Sequence, residues 1–116
     1  MVALAIEAAE GKKAEDIVVL DLRELTALTD YFLICSGETD QQRRAIRDGI
    51  VQDLKEAGAP LGRQEGGNRA QWMLLDYGDM VVHIFSPEQR SFYDLERLWG
   101  DAPRVDTEAL AAMVQE

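Results

Sequence analysis

The stretch Gln71 to Phe85, Q-W-M-L-L-D-Y-G-D-M-V-V-H-I-F, decides how this chain folds. It contains two apolar runs, Gln71 to Asp76 and Met80 to Phe85. The runs are joined by Tyr77 and Gly78, which is the spacing of a tight β-hairpin. The stretch therefore predicts two neighbouring antiparallel strands.

The hairpin sorts its side chains into two faces. A loop of two residues or of four gives the same predicted pairing, Leu75 with Met80 and Trp72 with His83, and alternation then assigns the faces. One face is aliphatic, and we expect helices to cover it: Met73, Leu75, Met80, Val82 and Ile84. The other face mixes carboxylates with large aromatic rings: Trp72, Leu74, Asp76, Asp79, Val81, His83 and Phe85.

The second face could be a binding surface or could be buried within the protein. Aromatic anchors with a charged rim are typical of protein interfaces, so this face suits a binding partner. Large aromatic side chains are also mostly buried on average, and the N-terminal helix could cover Trp72 and Phe85, with only the hairpin tip in water. The sequence leaves both alternatives open.

A helix and two strands are predicted upstream. Val2 to Lys12 is typical of a weakly amphipathic helix ended by Gly11. Ile17 to Leu22 and Tyr31 to Ser36 are rich in β-branched and aliphatic residues, which favours strands. Gly37 then interrupts the chain.

A capping box predicts the next helix, because Thr39 is followed three positions later by Gln42. Its apolar residues recur at helical spacing: Ile46, Ile50, Leu54 and Ala57. Its charged residues are assigned to the wet side: Arg43, Arg44, Arg47, Asp48, Asp53 and Lys55. Gly58 and Pro60 end the helix. A short strand over Leu61 to Glu65 follows, and we expect it to run parallel to the strand before the helix.

A last helix is predicted after the hairpin. Ser86 is its N-cap, Pro87 occupies its first turn, and Gln89 closes a second capping box. Its apolar stripe is Phe92, Leu95, Leu98 and Trp99. Gly100 and Pro103 end it, and residues 104–116 form a tail for which a loose helix stays open.

The composition limits the partners. The 116 residues fit a single domain. Twelve basic against 22 acidic residues give a net charge of −10, which repels nucleic-acid phosphates and anionic lipid but attracts basic proteins. With a single cysteine, no internal disulfide can form, and we expect a cytoplasmic protein. Residues 1–10 resemble neither a signal peptide nor a membrane anchor.

The sequence predicts no catalytic, cofactor or metal site. The turn within Ile34 to Asp40 follows a strand, as anion sites do, but it lacks a phosphate-binding motif and carries two carboxylates. His83 is the single histidine and has no further metal ligand or nucleophile at recognisable spacing. Cys35 lies within an apolar run, where a thiol is usually inert. We therefore expect a binding protein.

The segments together resemble the Iojap-like ribosomal silencing factors. The resemblance covers about residues 1–103 and rests on five motifs in the order of that family: D-I-V-V-L-D-L at Asp16, T-D-Y-F-L-I-C-S-G at Thr29, E-G-G-N-R-A-Q-W at Glu65, L-D-Y-G-D-M-V-V-H-I-F at Leu75 and R-S-F-Y-D-L-E-R-L-W at Arg90.

The resemblance implies a fold and a function. The expected fold is α/β, a single domain over residues 1–103 with a mixed five-stranded sheet and about three helices, akin to nucleotidyltransferases. The expected function is to bind the large ribosomal subunit through its ribosomal protein fourteen and to block joining of the small subunit when nutrients are short. The paired aspartates of nucleotidyltransferases have no counterpart in S-G-E-T-D at Ser36, so an enzyme is not expected.

The resemblance also points to particular residues. Trp72 matches the tryptophan in the strand before the family's D-x-G-D turn, and Tyr93 begins its Y-x-L-E segment. The predicted partner-binding residues are Trp72, Leu74, Asp76, Tyr77, Asp79, Val81, His83 and Tyr93. Two other functions stay open at this point: nucleotidyl transfer near Ser36, Gly37 and Asp40, and a homodimer formed through the exposed strand face.

Overall fold

The structure is a computed structural model, and it describes residues 1–114. Helices and strands are interspersed along the chain. In chain order they are α1 (Val2–Gly11), β1 (Glu15–Asp21), β2 (Tyr31–Ser36), α2 (Asp40–Glu56), β3 (Arg63–Glu65), β4 (Trp72–Asp76), β5 (Met80–Phe85), α3 (Pro87–Tyr93), α4 (Leu95–Leu98) and α5 (Thr107–Val114).

The five strands form one mixed sheet in the order β1-β2-β5-β4-β3. The pairing of β2 with β5 is parallel, and the other three pairings are antiparallel. The five-stranded mixed sheet that the family resemblance implies is thus confirmed. Strands β2 and β3 run in the same direction, as expected for a strand-helix-strand unit, but β5 and β4 lie between them.

The predicted hairpin register is wrong by two residues. Trp72 lies opposite Phe85, and Leu74 lies opposite His83. Because side chains alternate with a period of two, a shift of two residues leaves every side chain on its predicted face. The two faces are therefore assigned correctly although the register is wrong.

The turn explains the shift. Tyr77, predicted as a loop residue, pairs with Met80 instead: its N–H donates to the Met80 carbonyl at 2.8 Å. The loop is therefore Gly78 and Asp79. A side-chain oxygen of Asp76 accepts a hydrogen bond from the Gly78 N–H at 2.8 Å, and Gly78 adopts a φ of +84°. Glycine adopts this φ at little cost. Gly78 is the first loop residue rather than the second, so the turn lies one residue later than predicted.

Helices α1 and α2 cover one face of the sheet. The aliphatic residues predicted for that face are all fully buried there: Met73, Leu75, Met80, Val82 and Ile84. They pack with Ile6 of α1 and with Ile46 and Ile50 of α2. Because α1 lies on this side, the alternative in which the N-terminal helix covers Trp72 is wrong.

Helix α2 follows its predicted caps but not all of its predicted faces. The Thr39 hydroxyl accepts the Gln42 N–H at 3.0 Å, as the capping box requires. Ala57, predicted in the apolar stripe, is exposed beyond the helix end. Arg43, predicted for the wet side, is 3% exposed. The five donors of a guanidinium let it be buried among main-chain carbonyls, which helical periodicity does not reveal.

The predicted last helix is in fact two short helices. Asp94 adopts a left-handed conformation with φ 49° and ψ 55°, which separates α3 from α4. Aspartate tolerates this conformation better than most residues. The break ends the helical periodicity, so Phe92 and Leu98 are 77% and 73% exposed rather than part of an apolar stripe. Leu95 and Trp99 do pack against the sheet.

The chain after α4 runs back along β1. The Asp21 N–H donates to the Pro103 carbonyl at 2.9 Å, and the Val105 N–H donates to the Val19 carbonyl at 2.9 Å. Helix α5 then lies against α1. The loose helix left open for the tail is therefore a docked helix, whereas the predicted domain boundary at residue 103 stays a prediction.

Candidate protein-docking surface

The sheet face opposite α1 and α2 carries a row of aromatic side chains. The ring of Trp72 stacks on Phe85 with 4.9 Å between centroids and contacts Tyr93 of α3 at 4.6 Å. Farther along the sheet, the ring of Phe32 meets His83 edge-on at 4.5 Å. Such contacts add to the energy of burial, so the row forms a preorganised surface.

The row is buried to different degrees. Phe85 and His83 are buried, whereas Trp72, Leu74 and Val81 are only half-buried. Tyr93 is 46% exposed, although its ring contacts the indole. Trp72 is thus neither fully exposed nor sealed beneath the helices, and a partner can reach it. We call Trp72, Leu74, Val81 and Tyr93 the docking surface.

His83 holds the indole in place. The Trp72 Nε1–H donates a hydrogen bond to Nδ1 of His83 at 3.1 Å. Burial lowers the pKa of His83 from 6.5 to about 4, so the imidazole is neutral near pH 7. Neutral imidazole with Nδ1 as acceptor carries its proton on Nε2. His83 acts here as an uncharged hydrogen-bond acceptor.

A groove of about 310 Å³ adjoins the docking surface. It lies between the hairpin and the loop after β1. Leu74 and Val81 of the docking surface line it, together with Phe32 and Trp99. Leu28, at one wall, is 87% exposed. The groove is therefore an apolar extension of the docking surface.

The hairpin end beside the groove is acidic. Asp76 lines the groove, and its neighbour Asp79 is exposed at the turn. The Asp79 carbonyl accepts the Asp30 N–H at 3.0 Å, so Asp30 lies beside the turn. Arg63 also lines the groove, but it is paired with Glu65 at 3.5 Å. This end of the surface thus favours a cationic partner.

The structure brings most of the predicted partner-binding residues to one face. Tyr77 is the exception. Because it pairs with Met80, its ring packs against the hydrophobic core on the other side of the sheet. Burial there raises the pKa of its phenol. Tyr77 was predicted as a partner-binding residue in the hairpin loop; its ring lies on the other side of the sheet from Trp72, and a role for it in binding stays a prediction.

Arg90 is a structural support that the sequence analysis missed. Its guanidinium donates to the Ser36 hydroxyl at 2.9 Å and to the Glu96 carboxylate at 2.8 Å. These bonds tie the end of β2 to α4 across the break at Asp94, and they hold α3 with Tyr93 against the sheet. The six-residue separation of Arg90 and Glu96 fits no helical spacing, so periodicity gives no signal for it.

The contacts of Arg43 argue against a catalytic site at the turn after β2. The Arg43 guanidinium donates to the Gly37 carbonyl at 2.8 Å and to the Ala70 carbonyl at 3.0 Å, and it also pairs with Asp40. A side chain at Gly37 would come within 2.9 Å of Arg43. Within residues 1–114, no group of three potential metal ligands comes together.

Cys35 offers no reactive thiol. It is fully buried, and burial raises the pKa of the thiol to about 12. A thiol with that pKa is almost entirely protonated near neutral pH, and the thiol is a poor nucleophile compared with the thiolate. The aromatic face, not the chemistry-bearing residues, is thus the candidate site.

The fold and the surface define a single-domain α/β protein with a partly exposed aromatic face on one side of a mixed sheet. Comparisons with known proteins agree. A family model described as "Ribosomal silencing factor during starvation" matches residues 1–116. The chain belongs to this ribosomal silencing factor family. Membership confirms the Iojap-like resemblance and the expectation of a binding protein rather than an enzyme.

Individual relatives are similar over nearly their whole lengths. The ribosomal silencing factor RsfS of Bacillus subtilis is 46% identical over 103 residues, which is 89% of this chain and 87% of that protein. The RsfS of Halalkalibacterium halodurans is 42% identical over 107 residues, 92% of each chain. A crystal structure of a Chromobacterium violaceum protein, 41% identical, superposes with a TM-score of 0.81 over 84% of this chain and 81% of that one.

None of the helices within residues 1–114 combines the length and the apolar character that crossing a membrane requires.

Proposed function

We propose that this protein binds the large ribosomal subunit and blocks its joining with the small subunit. Family membership supports the first part, because relatives that are 42% and 46% identical are named ribosomal silencing factors. The mechanism is steric. The factor occupies a surface that the small subunit has to approach, and no catalytic step is needed.

The docking surface is the contact site in this proposal, and ribosomal protein fourteen is the partner. The observation that carries it is the partly buried Trp72, whose indole is held by His83 and flanked by Tyr93. A large aromatic side chain fixed before binding loses little entropy on docking, and tryptophan and tyrosine dominate binding energy at protein interfaces.

Charge supports a protein partner over an RNA partner. The net charge of −10 repels phosphates, whereas a basic ribosomal protein would be attracted. The carboxylates of Asp76 and Asp79 lie beside the docking surface and add to this attraction. Such complementarity mainly raises the association rate and excludes wrong partners. In this proposal, the protein acts in the cytoplasm and makes no sequence-specific contact with RNA.

A subunit-joining assay tests the function. Purified small and large subunits are mixed with increasing amounts of the protein, and the fraction of joined ribosomes is measured by sedimentation. We expect that fraction to fall as large subunits become occupied. Preincubation of the protein with large subunits should inhibit joining. Preincubation of the protein with small subunits should inhibit joining no more than mixing without preincubation. Undiminished joining with saturated large subunits would contradict the proposed mechanism.

A further inference from the structure

Helices α3 and α4 carry a patch of exposed apolar side chains. Within residues 1–110, six large apolar side chains are strongly exposed, and three of them lie here: Phe92, Tyr93 and Leu98. These three line one shallow depression on the surface. Exposed apolar side chains that are scattered singly are normal, but a contiguous group of them is typical of an interaction site. We call Phe92, Tyr93 and Leu98 the helical patch.

The break at Asp94 keeps the patch in contact with solvent. In an uninterrupted helix, Phe92, Leu95 and Leu98 would lie along one apolar stripe. The left-handed conformation of Asp94 separates the two helices instead, so that Leu95 packs on the sheet while Phe92 and Leu98 stay 77% and 73% exposed. Residues with side chains adopt this conformation at a cost, and it is found often at functional sites. The fold thus combines a strained residue with two large side chains left unburied.

The two sides of the patch are fixed relative to each other. The Arg90 guanidinium donates to the Glu96 carboxylate across the break at 2.8 Å. The ring of Phe92 meets the ring of Tyr93 edge-on, with 5.1 Å between centroids. These contacts exist before any partner arrives, so less entropy is lost when a partner binds there.

Tyr93 joins the helical patch to the docking surface. The centroid of its ring lies 4.6 Å from that of Trp72 on one side and 5.1 Å from that of Phe92 on the other. Tyr93 therefore belongs to both areas, and the two areas are continuous. A partner that covers Trp72 and Tyr93 from the solvent side comes next to Phe92.

The docking surface alone is smaller than a stable interface needs. Specific protein interfaces bury about 800 Å² on each partner. A fully buried aromatic side chain accounts for about 150–250 Å², and Trp72, Leu74 and Val81 are already partly buried in the free protein. The contact therefore has to extend beyond these residues. On the groove side the strongly exposed apolar residue is Leu28, whereas the helical patch adds two large side chains next to Tyr93.

We infer that the helical patch is the second half of the contact with the basic ribosomal protein, whose apolar side chains pack against Phe92 and Leu98. This inference rests on the proposed function and enlarges its contact site. An RNA base can also stack on an exposed aromatic ring. Two of the three exposed charged residues in the range 87–98 are carboxylates, Glu88 and Asp94, and they add to the repulsion of phosphates by the net charge of −10. A protein partner is therefore favoured over RNA.

Serine substitutions in the patch test the inference. Phe92→Ser and Leu98→Ser remove the apolar side chains and leave Trp72 in place. Because both side chains are largely exposed, we expect each variant to keep a Tm close to that of the wild type. The Kd for large subunits and for purified ribosomal protein fourteen should rise by about tenfold for Phe92→Ser and about fivefold for Leu98→Ser. Leu25→Ser is the control, since Leu25 is 44% exposed outside both surfaces and should have no effect on either Kd.

Three results would overturn the inference alone. Wild-type Kd values for both patch variants would confine the contact to the strand face. Weaker binding to large subunits with unchanged binding to ribosomal protein fourteen would assign the patch to another component of the subunit. A free wild-type dimer that Phe92→Ser converts to a monomer in sedimentation equilibrium, with no rise in Kd, would assign the patch to a second copy of this chain. Failure of the wild type to bind large subunits would instead overturn the proposed function, and the inference with it.

Discussion

The indole Nε1–H of Trp72 donates to Nδ1 of His83 across a distance of 3.1 Å, although the two residues lie eleven positions apart. The register of the hairpin places His83 opposite Leu74, so the bond runs diagonally between the strands. It satisfies the polar atom of the indole, while Trp72 as a whole stays partly exposed. The orientation of the proposed anchor therefore depends on a buried, uncharged histidine.

The first prediction concerns pH. Burial holds the pKa of His83 at about 4, below its unfolded value of 6.5. The unfolded chain therefore takes up the proton first as the pH falls, and stability that is fully present above pH 6.5 is lost toward pH 4. Between pH 7 and pH 5, this residue should lower the free energy of unfolding by about 2 kcal/mol.

Urea denaturation of the wild type and of His83→Gln at both pH values measures this contribution. The carboxylates titrate in both proteins and cancel in the comparison. We expect the variant to lose less stability than the wild type on acidification. Equal losses would show that His83 is not held neutral by burial.

A second prediction concerns Arg43, which ties the turn at Gly37 to the loop at Ala70. Arg43→Met leaves two carbonyls and the Asp40 carboxylate without their partner. We expect this variant to lose about 3 kcal/mol of unfolding free energy, mainly because two main-chain carbonyls lose their donor, whereas the Asp40 side chain is 44% exposed and can be hydrated. Arg44→Met, at a neighbouring and less buried position, should cost less than about 1 kcal/mol. Equal effects in urea denaturation would rule out the special role of Arg43.

Arg90 should influence docking without touching the partner. Its bonds to Ser36 and Glu96 hold α3 so that Tyr93 contacts Trp72. We expect Arg90→Met to weaken binding to large subunits by about tenfold, because Tyr93 is then no longer preorganised. The exposed Arg97, on the adjacent helix, provides the matched control.

Tryptophan fluorescence distinguishes positioning from unfolding in these variants. Arg90→Met should remain folded but show an altered emission, since the contact of Tyr93 with the indole is loosened. Arg97→Met should leave both emission and affinity unchanged. Wild-type affinity in Arg90→Met would mean that the position of Tyr93 has no bearing on docking.

The sequence predicted the sheet faces well because alternation depends on parity alone. The hairpin register was wrong by two residues, yet Met73 and Leu75 are in the core and Trp72 is on the opposite face. Tyr77, predicted as a loop residue, instead continues the strand pairing opposite Met80, because the turn lies one residue later. An Asp76 side chain that caps a main-chain N–H sets that position.

Other features of the structure could not be predicted from the periodicity of the sequence. The burial of Arg43 depends on carbonyls from two separate loops, which come together only in the folded chain. The break at Asp94 depends on a single left-handed residue, and it turns Phe92 and Leu98 toward solvent. Long-range hydrogen bonds and single main-chain conformations decide these features, and neither leaves a repeating pattern.

The most direct test of the docking surface is the Kd of Trp72→Glu for isolated large subunits. We expect binding at least about thirtyfold weaker than that of the wild type, because a charge replaces the proposed aromatic anchor. Gln41→Glu adds the same charge to the exposed side of α2, beyond the opposite face of the sheet, and should bind normally. A folded Trp72→Glu protein with wild-type Kd would contradict the central claim.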